Sequence, residues 1–338
     1  MDRAATLAVQ ARNARRVASV APLGMAQRAL ALSGFAALYP ETLTDDFYLP
    51  VRAIRPVARA APNDLGLAEA LDLSWSSDYQ PFVADLRERY RRTTQNQSAA
   101  VRLLKAGGER PVAILIHGYM TGQYQMEQRL WPLQRFLRSG YDVALFTLPF
   151  HGLRANPERR GAPEFPGADP RVSNEAFRQV IGDLRDFVHW LKAEGRPAVG
   201  VMGMSLGGYT AALLATLEPE LAFCVPVIPL ASLADFARDQ GVLSSAPKIE
   251  AEEHALLDRV YRVVSPLERR PRIAPWRTLV VAGKADRITP VAHARKLAAH
   301  FGSPLVSWHG GHLLQLGRDA CFRRVETLLR ELRAEPAR

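Results

Sequence analysis

Short apolar runs alternate with helical patterns from residue 100 onward, and this alternation limits the folds open to the chain. The runs with strand character lie at 100–105, 111–118, 141–150, 197–204, 222–230, 277–285 and 303–309. The segments with helical periodicity lie at 123–139, 173–194, 206–218, 290–301 and 313–332. Strands that are apolar along their whole length are typical of parallel strands buried on both faces. The alternation therefore predicts an α/β fold, with a mostly parallel central sheet and helices on both faces.

Two segments do not fit this repeat. Residues 152–172 are polar and rich in Pro and Gly, and residues 231–276 have an irregular helical pattern. Segments of this length within a compact domain commonly form lids or binding walls. We therefore predict three parts: a helical and extended N-terminal arm over 1–99, an α/β domain over 100–332, and a cap or lid inserted into that domain over 231–276.

The N-terminal segment, residues 1–40, has the periodicity of one or two helices, with Arg interleaved among small apolar residues. Such helices either pack on the core or lie on a membrane surface. Ala dominates the apolar face and Trp is missing from residues 1–40, which favours packing on the core. Peripheral membrane contact through residues 1–40 is the alternative.

The 338-residue chain carries a formal net charge of +10. Its Arg residues are scattered along the chain rather than grouped into one block, which is typical of a solvated surface. The sequence contains neither a zinc-finger pattern nor an RNA-binding aromatic motif. We therefore expect no nucleic-acid partner.

Cysteine usage and hydropathy bear on the compartment. Cys224 lies in an apolar strand-like run and Cys321 on the last predicted helix. Two buried thiols suit a reducing compartment. The sequence has no uninterrupted apolar span of the ~20 residues that a transmembrane helix needs. Gln27 and Arg28 interrupt the apolar stretch that an export signal would require. These features predict a cytoplasmic protein.

The segment from Gly203 to Gly207 has the pattern G-x-S-x-G, with Ser205 at its centre. It follows a predicted strand and opens a predicted helix. A sharp turn of this kind lifts one side chain above the sheet edge and requires small neighbours. The helix that follows directs its positive end at the site, where it favours developing negative charge. The pattern therefore predicts Ser205 as a nucleophile.

A serine hydroxyl needs a base, and an orienting carboxylate must hold that base. After the last predicted strand the chain offers His309 and His312, and we expect His312, which lies beyond two glycines on a loop. After the preceding strand the chain offers Asp286, with Asp235 as the rival position after an earlier strand. We expect Asp286, so the chain order is nucleophile, acid and base.

The oxyanion formed by serine attack needs backbone N–H donors. Leu206 follows the nucleophile and supplies one. The loop after the strand at 111–118 supplies the other, from Tyr119 or alternatively from Met120, and we expect Tyr119. His117 has the position of a residue that holds this loop. The expected chemistry requires no cofactor and no metal ion. His309 and His312 are three residues apart, a spacing that could suggest a metal site, but no third ligand lies nearby in the sequence.

The segments LIHGYM, GMSLGG, AGKADRITP and GGHL occur in this order, and together they resemble the α/β-hydrolase superfamily over about residues 100–332. The segments LPFHGLR and WLKAEGRPAVGVMGMSLGGYTAALLA also resemble a little-characterised branch of α/β-hydrolase-domain proteins. The superfamily resemblance implies an eight-stranded sheet with one antiparallel strand, a site at the carboxyl ends of the strands, and often a cap. The first hundred residues depart from the minimal fold and either add strands or cover the site.

The expected function is that of a serine hydrolase of the carboxylesterase or lipase type, which cleaves a carboxylic ester through an acyl-enzyme. The expected partner is a small-molecule or lipid ester. Two alternatives stay open: acyl transfer to an acceptor other than water on the same three residues, and a non-catalytic binding module with a hydrolase fold. The sequence does not predict the oligomeric state.

Overall fold

The computed structural model describes residues 25–244 and 246–334. Within these residues the strands form one open sheet. Their bounds are β1 Val57–Ala60, β2 Glu69–Ser76, β3 Ser98–Lys105, β4 Val112–Ile116, β5 Asp142–Phe146, β6 Val199–Met204, β7 Cys224–Val227, β8 Val280–Gly283 and β9 Leu305–Trp308.

The strand order is β1-β2-β3-β5-β4-β6-β7-β8-β9. The five neighbouring pairs from β5 to β9 are parallel, and the three pairs among β1, β2, β3 and β5 are antiparallel. The expectation of an α/β fold with a mostly parallel sheet is confirmed. The expected count of eight strands with one antiparallel strand is wrong: residues 25–244 and 246–334 form nine.

Helices cover both faces of the sheet. Their bounds are α1 Met25–Ala36, α2 Arg87–Arg92, α3 Tyr124–Leu130, α4 Leu133–Arg138, α5 Pro170–Ala193, α6 Leu206–Ala215, α7 Leu233–Asp239, α8 Pro247–Tyr261, α9 Val291–Phe301 and α10 Asp319–Ala334. The helix predicted over 123–139 is two helices, because Pro132 lacks an amide hydrogen and interrupts the helical hydrogen bonds. The predicted helix 173–194 begins earlier, at Pro170, where the Asp169 carboxylate accepts from the Arg171 N–H as the N-cap.

The centre of the sheet is buried. All five residues of β4 are buried, as an uninterrupted apolar parallel strand should be. All ten residues of α6 are buried as well, so this helix packs against other elements on every side. The helix that follows Ser205 is therefore held firmly against the sheet.

Part of the segment predicted as an arm belongs to the sheet. Strand β2 pairs along its whole length with β3, and β1 pairs with β2. The following residues are attached to α5 by the buried Glu175 carboxylate, which accepts from the N–H groups of Phe82 and Val83 and from the Tyr79 hydroxyl. The first hundred residues thus supply strands, one of the two roles left open by the sequence.

Helix α1 packs against α8, and an ion pair of 3.3 Å joins Arg28 to Glu253. The helical prediction for residues 1–24, including their part in membrane contact, lies outside the described residues. None of the helices within residues 25–244 and 246–334 has both the length and the apolar character needed to cross a membrane.

The described part of residues 231–276 contains α7, α8 and two short 3-10 turns, and a third turn begins at Pro275. The beginning of this segment is attached near the end of β8. Gln240 donates to the Ile288 carbonyl oxygen at 3.0 Å, and the Asp239 carboxylate lies 3.0 Å from His293 Nε2. The segment predicted as a cap therefore starts beside the loop that carries Asp286.

Candidate active site

Ser205 occupies the turn between β6 and α6 with φ 57° and ψ −113°. A positive φ is uncommon for a residue with a side chain and costs on the order of 1–3 kcal/mol. The Ser205 N–H donates to the Val227 carbonyl oxygen at 2.9 Å, which anchors the turn to the neighbouring strand. The strain is thus held in place by the sheet and the buried helix, as in a nucleophile elbow.

The two flanking glycines are required by close backbone contacts. A Cβ on Gly203 would lie 1.9 Å from the Gly207 carbonyl oxygen, and a Cβ on Gly207 would lie 2.1 Å from the Ile116 carbonyl oxygen. Real side chains do not approach backbone oxygens so closely. The pattern G-x-S-x-G therefore reflects the crossing of three backbone segments at this edge of the sheet.

Asp286, which is buried, and His312, which is partly buried, form a pair. His312 Nδ1 lies 2.8 Å from Asp286 Oδ2, and the side chains are 11% and 0% exposed. Asp286 Oδ1 also accepts from the N–H groups of Ile288 and Thr289, at 2.8 and 2.7 Å. A carboxylate fixed by these bonds is suited to accept the Nδ1–H of a neutral imidazole, which leaves Nε2 as the basic nitrogen.

Thr289 has a different position from the one its sequence predicts. A threonine followed by proline before a helix has the pattern of an N-cap and first helical residue, but Pro290 is itself the N-cap and the helix begins at Val291. The Thr289 Oγ1 lies 2.9 Å from Asp286 Oδ2 and 3.1 Å from His312 Nδ1. Thr289 therefore contacts both members of the Asp286–His312 pair. The signal for it in the sequence is its spacing of three residues after the aspartate.

Hydrogen bonds join the loops that carry this pair. The Lys284 N–H donates to the Trp308 carbonyl oxygen at 2.8 Å, and the Ala285 N–H donates to the Gly310 carbonyl oxygen at 3.1 Å. The Gln315 amide donates to the His312 carbonyl oxygen at 2.9 Å and lies 3.4 Å from the sulfur of Met204, the residue before Ser205. The loop after β9 is thereby connected both to the loop that carries Asp286 and to the turn that carries Ser205.

The rival residues have other surroundings. The Asp235 carboxylate lies 2.8 Å from His254 Nε2 and 2.8 Å from Lys296 Nζ. Burial raises the pKa of Asp235, but the hydrogen bonds from Lys296 and His254 outweigh it and leave that pKa below its ordinary value. His309 is exposed and follows the end of β9 directly. Asp286 and His312 are thus the acid and base candidates that the fold brings together.

The loop after β4 lies against the elbow. A Cβ on Gly118 would lie 3.6 Å from Ser205 Cβ, so the backbone that leads to Tyr119 passes beside the serine. Leu206 is the first residue of α6, and N–H groups in the first turn of a helix have no acceptor within the helix. The backbone N–H groups expected to bind an oxyanion therefore belong to two segments adjacent to Ser205.

Two buried side chains fix this loop. His117 Nε2 accepts from the Leu148 N–H at 3.0 Å, so its Nδ1–H donates to the Gly118 carbonyl oxygen at 2.7 Å. Glu127 accepts from the Gly122 N–H at 2.9 Å, and burial raises the pKa of this carboxyl. His117 has the structural role that the sequence predicts, whereas the contribution of Glu127 was not foreseen.

A second histidine, His151, lies beside His117 with a ring-centroid distance of 5.1 Å. Its Nδ1 lies 2.8 Å from the Pro149 carbonyl oxygen, but its Nε2 is buried without a hydrogen-bond partner among the described residues. A buried polar atom without a partner costs on the order of 1–3 kcal/mol. No sequence motif marks His151 as a functional residue.

The buried imidazoles predict a stability that depends on pH. Burial lowers the pKa of His117 to about 4, and burial together with His117 lowers the pKa of His151 to about 3. An unfolded histidine titrates near pH ~6.5. The contribution of these residues to stability is therefore complete above that pH and is lost as the pH falls towards 4, by at most ~1.4 kcal/mol per pH unit for each histidine.

Urea denaturation of the wild type and of His117→Asn at pH 7.5 and pH 5.0 checks this prediction. The free energy of unfolding of the wild type should decrease more between the two pH values than that of the variant. Equal decreases in the two proteins would contradict it.

In residues 25–244 and 246–334, no group of three or more His, Cys, Asp or Glu side chains is arranged to hold a metal ion.

The chain is similar to proteins of one family. A family model described as the alpha/beta hydrolase family matches residues 113–324. An uncharacterised protein of Mycobacterium tuberculosis, from strains CDC 1551 and H37Rv, is 31% identical over 232 residues, which are 67% of this chain and 55% of that protein. This chain therefore spans about half the length of the curated relatives it matches.

Solved structures share the fold. An acetyl xylan esterase from Paenibacillus sp. R4 has a TM-score of 0.56 at 17% identity, over 88% of this chain and 92% of that one. An esterase from Pyrococcus furiosus has a TM-score of 0.54 at 18% identity, over 84% of this chain and 98% of that one. Similarity at such identities shows a common fold.

Proposed function

Since this chain belongs to the alpha/beta hydrolase family, we propose that it is a serine hydrolase that cleaves carboxylic esters through an acyl-enzyme. The observation that carries this proposal is the Asp286–His312 pair, with its 2.8 Å contact, at the sheet edge where Ser205 is held at φ 57°. An aspartate in place of the elbow serine would have favoured dehalogenase or epoxide chemistry instead.

The proposed reaction begins with the Ser205 hydroxyl. Its proton passes to His312 Nε2 while Oγ attacks the ester carbonyl carbon, and Asp286 stabilises the imidazolium that forms. The backbone N–H groups of Leu206 and Tyr119 bind the oxyanion. The tetrahedral intermediate then breaks its bond to the alcohol, which takes the proton from His312. Water, deprotonated by His312, releases the acid and restores Ser205.

Acyl transfer is the second candidate, because an alcohol can replace water in the last step on the same residues. The fold-level similarity to an acetyl xylan esterase and to another esterase supports an ester substrate.

Residues 231–276 begin beside the Asp286 loop and are proposed as the cap that selects the substrate. A non-catalytic binding module would not need the Asp286–His312 pair.

Hydrolysis of p-nitrophenyl esters with acyl chains of two to twelve carbons tests the proposal. We expect turnover of at least one ester, with an initial burst of p-nitrophenol equal to the enzyme concentration if deacylation is slow. Addition of a simple alcohol distinguishes the two candidates, because an acyltransferase forms the new ester in preference to the free acid. A folded protein that releases no p-nitrophenol from any ester in the series would contradict both.

A further inference from the structure

A cavity of about 150 Å³ lies between the loop after β4 and the loop after β5. An apolar cavity of about this volume accommodates a benzene ring in another protein, so a small substituent fits here. The walls of this cavity combine apolar surface with polar groups, and the polar residues that line it are Thr121, Gln123, His151, Asn156, Arg159 and Glu164. A mixed cavity of this size is suited to a small group that also forms a hydrogen bond.

His151 is the wall residue with an unused hydrogen-bonding atom. Its side chain is 1% exposed, and its Nε2 has no hydrogen-bond partner among residues 25–244 and 246–334. The Nδ1 position carries the proton, because it donates to the Pro149 carbonyl oxygen at 2.8 Å. The rings of His117, Tyr119 and Phe165 surround the imidazole and hold it in this orientation. His151 Nε2 is therefore a fixed acceptor that requires a donor.

The cavity is adjacent to the proposed oxyanion site. Its wall includes Met120 and Thr121, which directly follow Tyr119. The two loops are in close backbone contact, since a Cβ on Gly152 would lie 2.3 Å from the Gly122 carbonyl oxygen. An ester whose carbonyl oxygen is bound by the Tyr119 N–H has one end within a few bonds of this cavity.

We propose that this cavity is a substrate subsite in which His151 Nε2 accepts a hydrogen bond from a hydroxyl group of the substrate, so that the enzyme prefers hydroxylated esters. The inference rests on the proposed hydrolase function, because it assigns a specificity to the same site. It makes His151 a residue that contacts the substrate, in addition to its packing against His117.

The surroundings favour a neutral donor. Glu164 is paired with Arg89 at 2.9 Å, so its charge is already compensated. The fully buried Arg154, three residues after His151, forms an ion pair of 2.8 Å with Asp183. A substrate cation would therefore be placed near a guanidinium group without a free carboxylate. A hydroxyl group supplies a donor without introducing a charge.

Two matched pairs of esters test the subsite. Glycerol monobutyrate against propyl butyrate places the hydroxyls on the alcohol, and ethyl 3-hydroxybutyrate against ethyl butyrate places the hydroxyl on the acyl group. In at least one pair, the wild type should have a kcat/KM about tenfold higher for the hydroxylated ester, which corresponds to ~1.4 kcal/mol. His151→Phe should reduce this ratio towards one. Leu153→Ala, an exposed position on the same loop outside the cavity wall, should leave the ratio unchanged.

A second variant and a binding measurement complete the test. Ala162→Leu fills the cavity without altering His151 and should lower the same ratio. In a Ser205→Ala background, calorimetric titration with each hydroxylated ester should show, for at least one of them, a Kd about tenfold higher when His151→Phe is added. This titration needs no turnover, so it decides the subsite even if the wild type hydrolyses no p-nitrophenyl ester and the hydrolase proposal fails.

Equal kcat/KM values for both members of each pair would overturn the subsite. The subsite would also be overturned if the preference for the hydroxylated ester, or its Kd, were unchanged in both His151→Phe and Ala162→Leu.

Discussion

Replacing Ser205 with alanine should lower kcat for ester hydrolysis by about 10⁶-fold, because the hydroxyl that forms the acyl-enzyme is removed. The residual rate should reflect the oxyanion donors and substrate binding, which the substitution leaves in place. Alanine carries the same Cβ as serine, so the strain at φ 57° is unchanged and the thermal unfolding midpoint should stay close to that of the wild type. Steady-state kinetics and a thermal melt of the same preparation measure both.

Ser303→Ala is the matched control for this variant. The Ser303 Oγ has no hydrogen-bond partner among the described residues, and the residue lies between α9 and β9. Its activity should equal that of the wild type. A Ser205→Ala protein that retains more than about one thousandth of the wild-type kcat would be inconsistent with covalent catalysis by Ser205.

The second large effect is expected at the Asp286–His312 pair. His312→Ala removes the base and should lower kcat by about 10⁶-fold, as loss of either the nucleophile or the base of a triad does. His309→Ala, three residues earlier and exposed, should have little effect. Asp286→Asn should cost less, about 10⁴-fold, because the amide NH₂ favours the wrong tautomer of His312 while the imidazole remains present.

Asp235→Asn is the control for the acid, since its carboxylate contacts His254 and Lys296 instead of His312. Full activity of His312→Ala with loss of activity in His309→Ala would move the base to His309. Loss of activity in Asp235→Asn with a normal Asp286→Asn protein would move the acid to Asp235.

The parallel half of the fold could be predicted from the sequence because its strands are apolar without interruption. Each of the seven predicted runs from residue 100 onward overlaps an observed strand, β3 to β9, although β3 begins two residues before its run. Strands β1 and β2 were not identified. All four residues of β1 are exposed at the sheet edge, and β2 contains Glu69, Asp72 and three serine or tryptophan positions that mix polar with apolar residues. The residues of such a strand do not indicate a strand by themselves, because its formation depends on the partner strand.

The candidate site could be predicted only in part. Ser205, Asp286 and His312 each follow an apolar strand, and the carboxyl ends of parallel strands meet at one edge of a sheet, so their order along the chain indicates a common site. The contacts of Thr289, Gln315 and His151 are contacts between loops, which depend on strand order and loop path. A sequence without the fold does not specify these distances, and a threonine followed by Pro290 has the pattern of a helix cap.

Labelling with a fluorophosphonate probe, followed by peptide mass spectrometry, tests the central claim most directly, because the probe reacts only with a serine hydroxyl that a base activates. We predict one adduct per wild-type molecule, on Ser205, with no adduct in Ser205→Ala and a greatly slowed reaction in His312→Ala. Folded wild-type protein that forms no adduct, or an adduct on another residue that persists in Ser205→Ala, would contradict the assignment of Ser205 as the nucleophile.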